Sequence, residues 1–159
     1  MSTPVQLEYK TAYIRRATPD DCVAVGENMR AIDKLECSGA SPVDAVLKGL
    51  ETDYLTFTIV SQDTDEPLAC FGIGPATPNE TNYIWLLTTD RLFDVTGLEF
   101  ARASKAWVTF IVNLYGLPCV NYIHPENTTV KRWLQWCDAT FSEPLSSGLI
   151  PFQITPTTT

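Results

Sequence analysis

Apolar and polar residues alternate along this chain in a pattern that predicts seven strands. Residues 54–60 alternate and are rich in β-branched side chains, and a polar turn at residues 63–67 separates them from a second apolar run. The two runs therefore predict a hairpin. Residues 83–88 are almost continuously apolar, which is typical of a strand buried on both faces. The predicted strands cover residues 12–16, 54–60, 68–74, 83–88, 119–123, 140–141 and 150–154.

Four other segments carry apolar side chains at helical spacing. Thr18 and Ser41 each precede a proline and then an acidic residue, which is typical of a helix start. Thr96 and Glu99 predict a capping box, in which both side chains satisfy first-turn amides, and Gly116 ends the same helix. The predicted helices cover about residues 18–36, 41–50, 96–115 and 128–138.

This order of elements, β-α-α-β-β-β-α-β-α-β-β, resembles that of the acyl-CoA-dependent N-acyltransferase (GNAT) fold. We therefore predict an α/β (α+β) protein with a GNAT-like mixed central sheet of about seven strands flanked by about four helices. The 159 residues fit one domain, which we place at residues 12–154, between a flexible N-terminal arm (1–11) and a disordered tail (155–159). Element order does not establish activity, but it shows where the chemistry would have to lie.

The composition limits what the protein can bind. The formal net charge of −8 and the pI of about 4.5 disfavour nucleic acid and anionic membranes, because polyanion binding depends on clustered Lys and Arg. No apolar run approaches the ~20 residues that span a bilayer, and the first residues do not resemble a signal peptide. The five cysteines form no C-x-x-C pair, so neither a metal site nor a disulfide framework is predicted. Four of them lie in apolar patterns and are interpreted as small core residues: Cys22, Cys70, Cys119 and Cys137.

Acyl transfer from a thioester first needs backbone amides that hold the pyrophosphate of the donor. The GNAT resemblance places them in a Q/R-x-x-G-x-G/A loop, which here corresponds to the strand residues Leu87, Thr88 and Thr89 followed by Arg91, Asp94, Thr96 and Gly97. Asp94 and Thr96 stand where glycines belong, and a carboxylate repels a pyrophosphate. Arg91 is either a phosphate clamp or a surface arginine paired with Asp90 or Asp94, and we favour the ion pair. The loop therefore predicts no bound cofactor.

Acyl transfer also needs a proton donor for the leaving thiolate and a base for the amine. In the family pattern N-x-x-A-x-x-x-Y, Asn127 matches the asparagine, but Leu134 takes the place of the tyrosine and cannot donate a proton. Tyr122, one element earlier, is the candidate for that role. His124, the only histidine, is the candidate for the base, and its alternative is a structural role in a His-Pro turn. Three other carboxylates are interpreted as solvated or capping groups: Glu36, Glu66 and Glu126.

Several short motifs lie within residues 13–154. They are Ile14-Arg15-Arg16-Ala17-Thr18, Pro67-Leu68-Ala69, residues 85–90, Thr96-Gly97, Asn127-Thr128-Thr129 and Arg132-Trp133-Leu134. Together these motifs resemble the internal virion protein A family of short-tailed (T-odd-like) bacteriophages, whose members are small GNAT-like proteins. The family often carries glycine where this chain has Asp138. The resemblance implies a role in virion assembly, partners among phage structural or assembly proteins, a location in the virion or the host cytoplasm, and no required cofactor.

Two hypotheses from different classes follow. The first is an internal virion or assembly protein on an acetyltransferase-like scaffold without acyltransferase activity, for which Trp136, outside the apolar stripe of its helix, is a candidate interface residue. The second is an active acetyl-CoA-dependent N-acyltransferase that acts on a host or phage amine and has an open cleft between the strands near Leu87 and Val120. A weaker third is a small protein that masks a bacterial target. Binding of acetyl-CoA discriminates the first two.

Overall fold

The computed structural model describes residues 6–37, 39–76 and 80–157 of the chain. This described part contains seven strands and six helices. The strands are β1 (Ala12–Arg16), β2 (Leu55–Ser61), β3 (Pro67–Pro75), β4 (Asn82–Thr88), β5 (Cys119–Ile123), β6 (Thr140–Phe141) and β7 (Ile150–Ile154). The helices are α1 (Pro19–Glu27), α2 (Ala31–Lys34), α3 (Pro42–Thr52), α4 (Arg91–Thr96), α5 (Leu98–Tyr115) and α6 (Thr128–Trp136). Each strand lies within one residue of its predicted bounds.

The strands form one mixed sheet in the order β1-β2-β3-β4-β5-β7-β6. Strands β1 to β4 are antiparallel neighbours, and the predicted hairpin is the β2–β3 pair. The β4–β5 pair is parallel, and β5, β7 and β6 continue the sheet in antiparallel fashion. The predicted seven-stranded mixed sheet is therefore confirmed.

Helices cover both faces of the sheet. Helices α5 and α6 pack on one face through apolar side chains that include Trp107, Ile111 and Leu134. Helices α1 and α3 pack on the other face around Val25 and Val46. All five cysteines are free and buried, as predicted for four of them, and burial raises the pKa of the Cys119 and Cys137 thiols to about 12. Among the described helices, none has both the length and the apolar character that a bilayer crossing requires.

The first predicted helix is interrupted, which is one reason for six described helices instead of about four. Helix α1 begins, as predicted, with a Thr18 cap, but it ends at Glu27. Met29 then forms a bridge to Thr89, and the Arg30 N–H donates to the carbonyl of Thr88 over 2.9 Å. The chain leaves the helix because these contacts with the end of β4 satisfy its backbone, and α2 starts immediately afterwards.

The second difference lies between β4 and α5, where helix α4 replaces the predicted loop. The predicted capping box is wrong: Gly97, with φ of +52°, is the N-cap of α5, and no side chain caps it. Thr96 instead donates its hydroxyl to the carbonyl of Leu92 over 2.8 Å. The Glu99 carboxylate accepts the backbone amides of Lys10 and Thr11 over 3.2 and 2.9 Å. Tertiary contacts with the N-terminal segment therefore replace the local cap.

Both predicted terminal segments contact the domain where they are described. Trp107 donates its indole N–H to the carbonyl of Gln6 and to the Tyr9 hydroxyl over 3.1 and 3.0 Å, so residues 6–11 lie against α5. Thr157 exchanges two hydrogen bonds with Asn113. Residues 1–5 and 158–159 lie outside the described residues. Helix α6 ends two residues earlier than predicted, because Asp138 adopts the left-handed φ of +68° that favours glycine.

A close approach of α1 and α3 makes Gly26 sensitive to substitution. A Cβ at this position would lie 2.5 Å from the Cα of Val43 and 2.7 Å from its backbone nitrogen. Since neither backbone atom can rotate away, we expect Gly26→Ala to lower the free energy of unfolding by about 2 kcal/mol despite the better helix propensity of alanine. Urea denaturation measures this. Glu27→Ala, at the next and exposed position, should change it by less than about 0.5 kcal/mol, and equal values for both variants would contradict the prediction.

Candidate functional site

The sheet opens between β4 and β5. The two strands pair only at Asn82 with Cys119 and at Tyr83 with Val120, and they separate beyond that point. The Asn121 side chain lies at the vertex. Its Nδ2 donates to the carbonyl of Ile84 over 2.8 Å, and its Oδ1 accepts the N–H of Tyr122 over 2.8 Å. One side chain thus satisfies a backbone group of each strand where the ladder stops.

Past the vertex, the backbone N–H and C=O of one β4 residue face the gap. The amides of Asn82 and Thr88 point away from β3, the first to the carbonyl of Pro118 and the second to the Asp33 carboxylate. Because residues two apart in a strand direct their backbone groups to the same side, the N–H and C=O of Leu86 also face the gap. Asn121 and Asp33 close this edge at its two ends, so the part open to an extended ligand is centred on the Leu86 peptide.

A cavity of about 720 Å³ extends through this gap. Ala103 and Trp107 of α5 line it on one face of the sheet, and Gly49 and Trp85 line it on the other. Its volume lies in the range of small-molecule binding sites, and most of its lining side chains are apolar, as is usual for such sites. The open cleft that the second hypothesis requires is therefore present.

Glu36 is the acidic residue that lines the cavity near the ends of β4 and β5. Its Oε2 accepts the backbone N–H of His124 over 2.7 Å and the Nδ2 of Asn127 over 3.2 Å. Both hydrogen bonds end on Oε2, so Oε1 is the oxygen available to a ligand. Burial raises the pKa of Glu36 to about 7, although these two hydrogen bonds act to lower it. A carboxyl group with this pKa can accept a proton near neutral pH.

Asp33 hydrogen-bonds to Thr88 at the end of β4 and to Asn127, next to Glu36. It is 1% exposed, and its Oδ2 accepts both the N–H and the hydroxyl of Thr88 over 3.0 and 3.2 Å. Its Oδ1 lies 3.4 Å from the Nδ2 of Asn127 and 3.8 Å from the Nη1 of Arg30. Burial raises the pKa of Asp33, whereas the charge of Arg30 lowers it. Asn127 therefore donates to both carboxylates and links them.

A third carboxylate, the half-buried Asp53, positions one wall of the cavity. It accepts hydrogen bonds from the Trp85 indole and the Tyr83 hydroxyl, and both of these aromatic side chains line the cavity. Burial raises the pKa of Asp53 to about 6. A Cβ on Gly72 would lie 2.6 Å from an oxygen of Asp53, so the missing side chain at that position makes room for the carboxylate.

The residues predicted as catalytic candidates or as matches to the family motif have different environments in the structure. Tyr122 is 51% exposed and lines the cavity. The ring of His124 is engaged locally, because its Nδ1 accepts the N–H of Glu126 over 3.1 Å, and it is the backbone of His124 that reaches Glu36. Asn127 caps α6 in addition to its contacts with the carboxylates. Leu134 is 4% exposed and belongs to the core.

The residues of the predicted loop lie in and around α4. Arg91 pairs with Glu66 over 3.1 Å, so its predicted pairing with Asp90 or Asp94 is wrong. The long-range partner on the β2–β3 turn is within reach because α4 starts beside it. Asp94 is exposed, Thr96 is buried and Gly97 separates α4 from α5. Of the strand residues before them, Leu87 lines the cavity, whereas Thr88 and Thr89 are buried and hydrogen-bonded.

Glu36 is the functional candidate that sequence reasoning missed, since it was interpreted as a solvated or capping carboxylate. Its partners His124 and Asn127 lie 88 and 91 residues away along the chain. No local pattern carries that information. The one available signal was Asn127 at the asparagine position of the family motif, because a buried asparagine at a helix start needs partners for its amide.

Comparisons with known proteins identify the fold. No family model matches the chain, and no curated protein matches it. An acetyltransferase from Agrobacterium tumefaciens superposes with a TM-score of 0.68 at 16% identity, covering 97% of this chain and 95% of that one. The GNAT domain of S. lividans PAT gives 0.67 at 16% identity, with 90% and 89% covered. A GNAT-family acetyltransferase from Bacillus anthracis gives 0.66 at 14% identity, with 94% and 97% covered. The chain therefore has a GNAT-like fold, as its element order predicted.

Proposed function

We propose that this chain is an N-acyltransferase that takes its acyl group from a thioester such as acetyl-CoA. The gap between β4 and β5 carries this proposal, because it exposes the Leu86 peptide inside a cavity that crosses the sheet. An extended donor with amide groups can pair with that peptide, and its thioester then lies among the residues at the strand ends. Glu36 and Tyr122 both line this cavity.

In this proposal Glu36 acts as the general base. An amine acceptor is largely protonated near neutral pH and has to lose a proton before it can attack. Oε1 of Glu36 accepts that proton, the amine nitrogen bonds to the thioester carbonyl carbon, and the carbon–sulfur bond breaks. The leaving thiolate takes a proton from the Tyr122 hydroxyl, the candidate donor, and becomes the free thiol. The nitrogen loses its second proton as the amide forms, and this proton restores the tyrosine. The acceptor is an amine of a host or phage molecule.

The second candidate function is the assembly role without acyltransferase activity. One observation favours it: α4 occupies the position of the pyrophosphate loop, and its Leu92 is completely buried. Trp136 is 52% exposed, and the Lys105 Nζ lies 4.8 Å from the centre of its ring. Trp136 is the candidate interface residue for the assembly role. The implied phage structural or assembly partners, the location in the virion or host cytoplasm and the independence from a cofactor are supported by the sequence resemblance alone.

A cavity-filling variant tests the first proposal against the second. Ala103 lines the cavity, whereas Ala106, three residues further along α5, is exposed on its outer side. We expect the wild-type protein and Ala106→Phe to bind acetyl-CoA alike in a calorimetric titration. Ala103→Phe should bind at least about tenfold more weakly, a loss of about 1.4 kcal/mol, because its ring occupies the space of the donor.

Thermal unfolding of both variants shows whether they remain folded. If the wild-type protein does not bind acetyl-CoA at millimolar concentration, the acyltransferase proposal is wrong and the assembly role is favoured. Equal binding by both variants would place the ligand outside the cavity.

A further inference from the structure

The start of α5 is poorly suited to a pyrophosphate. Helix α4 leads directly into it through Gly97, so the chain forms no open loop of backbone amides there. The N-terminal segment covers the adjoining turn, since Lys10 and Thr11 donate their amides to the Glu99 carboxylate. Glu99 also places a negative charge in the first turn of α5, where a phosphate would bind, and like charges repel each other.

The charges around α4 are also unfavourable for phosphates. Arg91 faces Glu66 over 3.1 Å, and Arg30 lies 3.8 Å from Asp33 and packs on the Phe93 ring. Burial acts to raise the pKa of Glu99, but hydrogen bonds from Thr11 and Lys10 and the nearby charge of Lys10 lower it. Each of these three cations thus lies near a carboxylate. Two further charges belong to α4 and its N-cap, and both are negative, those of Asp94 and Asp90.

The gap in the sheet, by contrast, fits an uncharged arm. The Leu86 peptide offers one donor and one acceptor, and the cavity around it is lined mainly by apolar side chains. Pantetheine is an extended, uncharged chain with two amides, so it matches this edge. The nucleotide of coenzyme A carries several negative charges and matches nothing near α4.

Resting on the proposed function, we infer that this site recognises an acyl-pantetheine thioester by its arm and acyl group alone. The nucleotide of coenzyme A extends past α4 into solvent and contributes no binding energy. This distinguishes the site from a phosphate-binding loop, in which backbone amides and cations provide much of the affinity for the donor.

The test is a calorimetric titration of the wild-type protein with acetyl-CoA and with S-acetylpantetheine, which lacks all the phosphates. We expect dissociation constants within about threefold of each other, and an acetyl-CoA affinity that does not fall between about 20 and 300 mM NaCl, because no ion pair is there to be screened. Acetyl-CoA binding more than about tenfold tighter, and weakened by salt, would overturn the inference. Failure of both ligands to bind would instead refute the proposed function.

A charge substitution on α4 supplies a second test. Asp94→Lys places a cation beside the path of the nucleotide, so it should strengthen acetyl-CoA binding by about threefold or more and leave S-acetylpantetheine binding unchanged. Glu143→Lys, at an exposed position after β6 at the edge of the sheet, is the control and should change neither. An unchanged acetyl-CoA affinity in Asp94→Lys would contradict the placement of the nucleotide beside α4.

Acyl carrier proteins present the same arm, and a third titration distinguishes the two sources. Tighter binding of an acetylated carrier protein than of S-acetylpantetheine would assign the donor to a carrier protein. Equal or weaker binding would assign it to coenzyme A. In both cases the arm and acyl group are what the site recognises.

Discussion

Replacing Glu36 by glutamine is expected to lower the rate of acyl transfer by about 10²- to 10³-fold, the usual contribution of a general base. The glutamine keeps an oxygen that can accept the hydrogen bonds from His124 and Asn127, so the site retains its shape and loses the proton acceptor. The measurement is amine-dependent release of free thiol from the donor thioester. Glu126→Gln, at an exposed position two residues after His124, is the control and should retain the wild-type rate.

The pH dependence of the rate gives this prediction a second readout. Because the pKa of Glu36 is about 7 and the deprotonated form is the active one, the wild-type rate should rise about tenfold per pH unit below pH 7 and level off above it. The residual rate of Glu36→Gln should lack this inflection. A wild-type inflection that survives in the variant would assign the base to another group.

Stability should change with pH in the opposite direction. The ordinary pKa of a glutamate is 4.5, so between pH 4.5 and 7 the folded protein binds more protons at Glu36 than the unfolded chain does. The free energy of unfolding therefore falls as the pH rises through this window. We expect Glu36→Gln to be more stable than wild type by about 2 kcal/mol at pH 8, and to differ little at pH 5. Urea denaturation at both pH values measures this difference.

Removal of the Asn127 side chain should have the largest effect on stability. Its Nδ2 donates to both Asp33 and Glu36, its Oδ1 accepts the N–H of Val130, and it is 2% exposed. We expect Asn127→Ala to lower the free energy of unfolding by about 3 kcal/mol, because it removes a helix cap and takes one hydrogen-bond donor from each of two carboxyl groups, those of Asp33 and Glu36. Gln135→Ala, at an exposed position on α6, should cost less than about 0.5 kcal/mol.

Asn127→Ser separates the two roles of this side chain. Serine is a good N-cap but does not replace the amide nitrogen, so its stability should lie between those of wild type and Asn127→Ala. Since the hydrogen bond from Asn127 lowers the pKa of Glu36, both variants should shift the inflection of the rate profile above pH 7. Wild-type stability in Asn127→Ser would show that the cap alone is important, and an unshifted inflection would show that Asn127 does not act on Glu36.

Much of the fold follows from local patterns in the chain. The alternation in residues 54–60 and 68–74 predicted the β2–β3 hairpin, and the caps at Thr18 and Ser41 are formed as predicted. These features depend on side-chain periodicity and on contacts within one turn, and both are present in the sequence itself. The GNAT-like element order followed from them, and with it the place of the gap between β4 and β5.

The errors occurred where distant contacts replaced local ones. Glu99 was predicted to cap its own helix, and it binds the backbone of residues 10 and 11 instead. Arg91 was predicted to pair with a neighbour, and it pairs with Glu66. In each case the side chain binds a partner from another element instead of a neighbour in the sequence. The local sequence pattern contains no information about that partner.

The sequence by itself determined the strands, the main helices, their order and the acidic replacement of the pyrophosphate loop, because each of these is a property of adjacent residues. Only the tertiary structure decided which carboxylate lies at the opening in the sheet. Glu36 follows a short helix near the start of the chain, and its burial, its partners and its raised pKa arise because the end of β5 and the start of α6 pack against it. Burial and long-range hydrogen bonds, which give a carboxyl group its chemistry, exist only once the chain has folded.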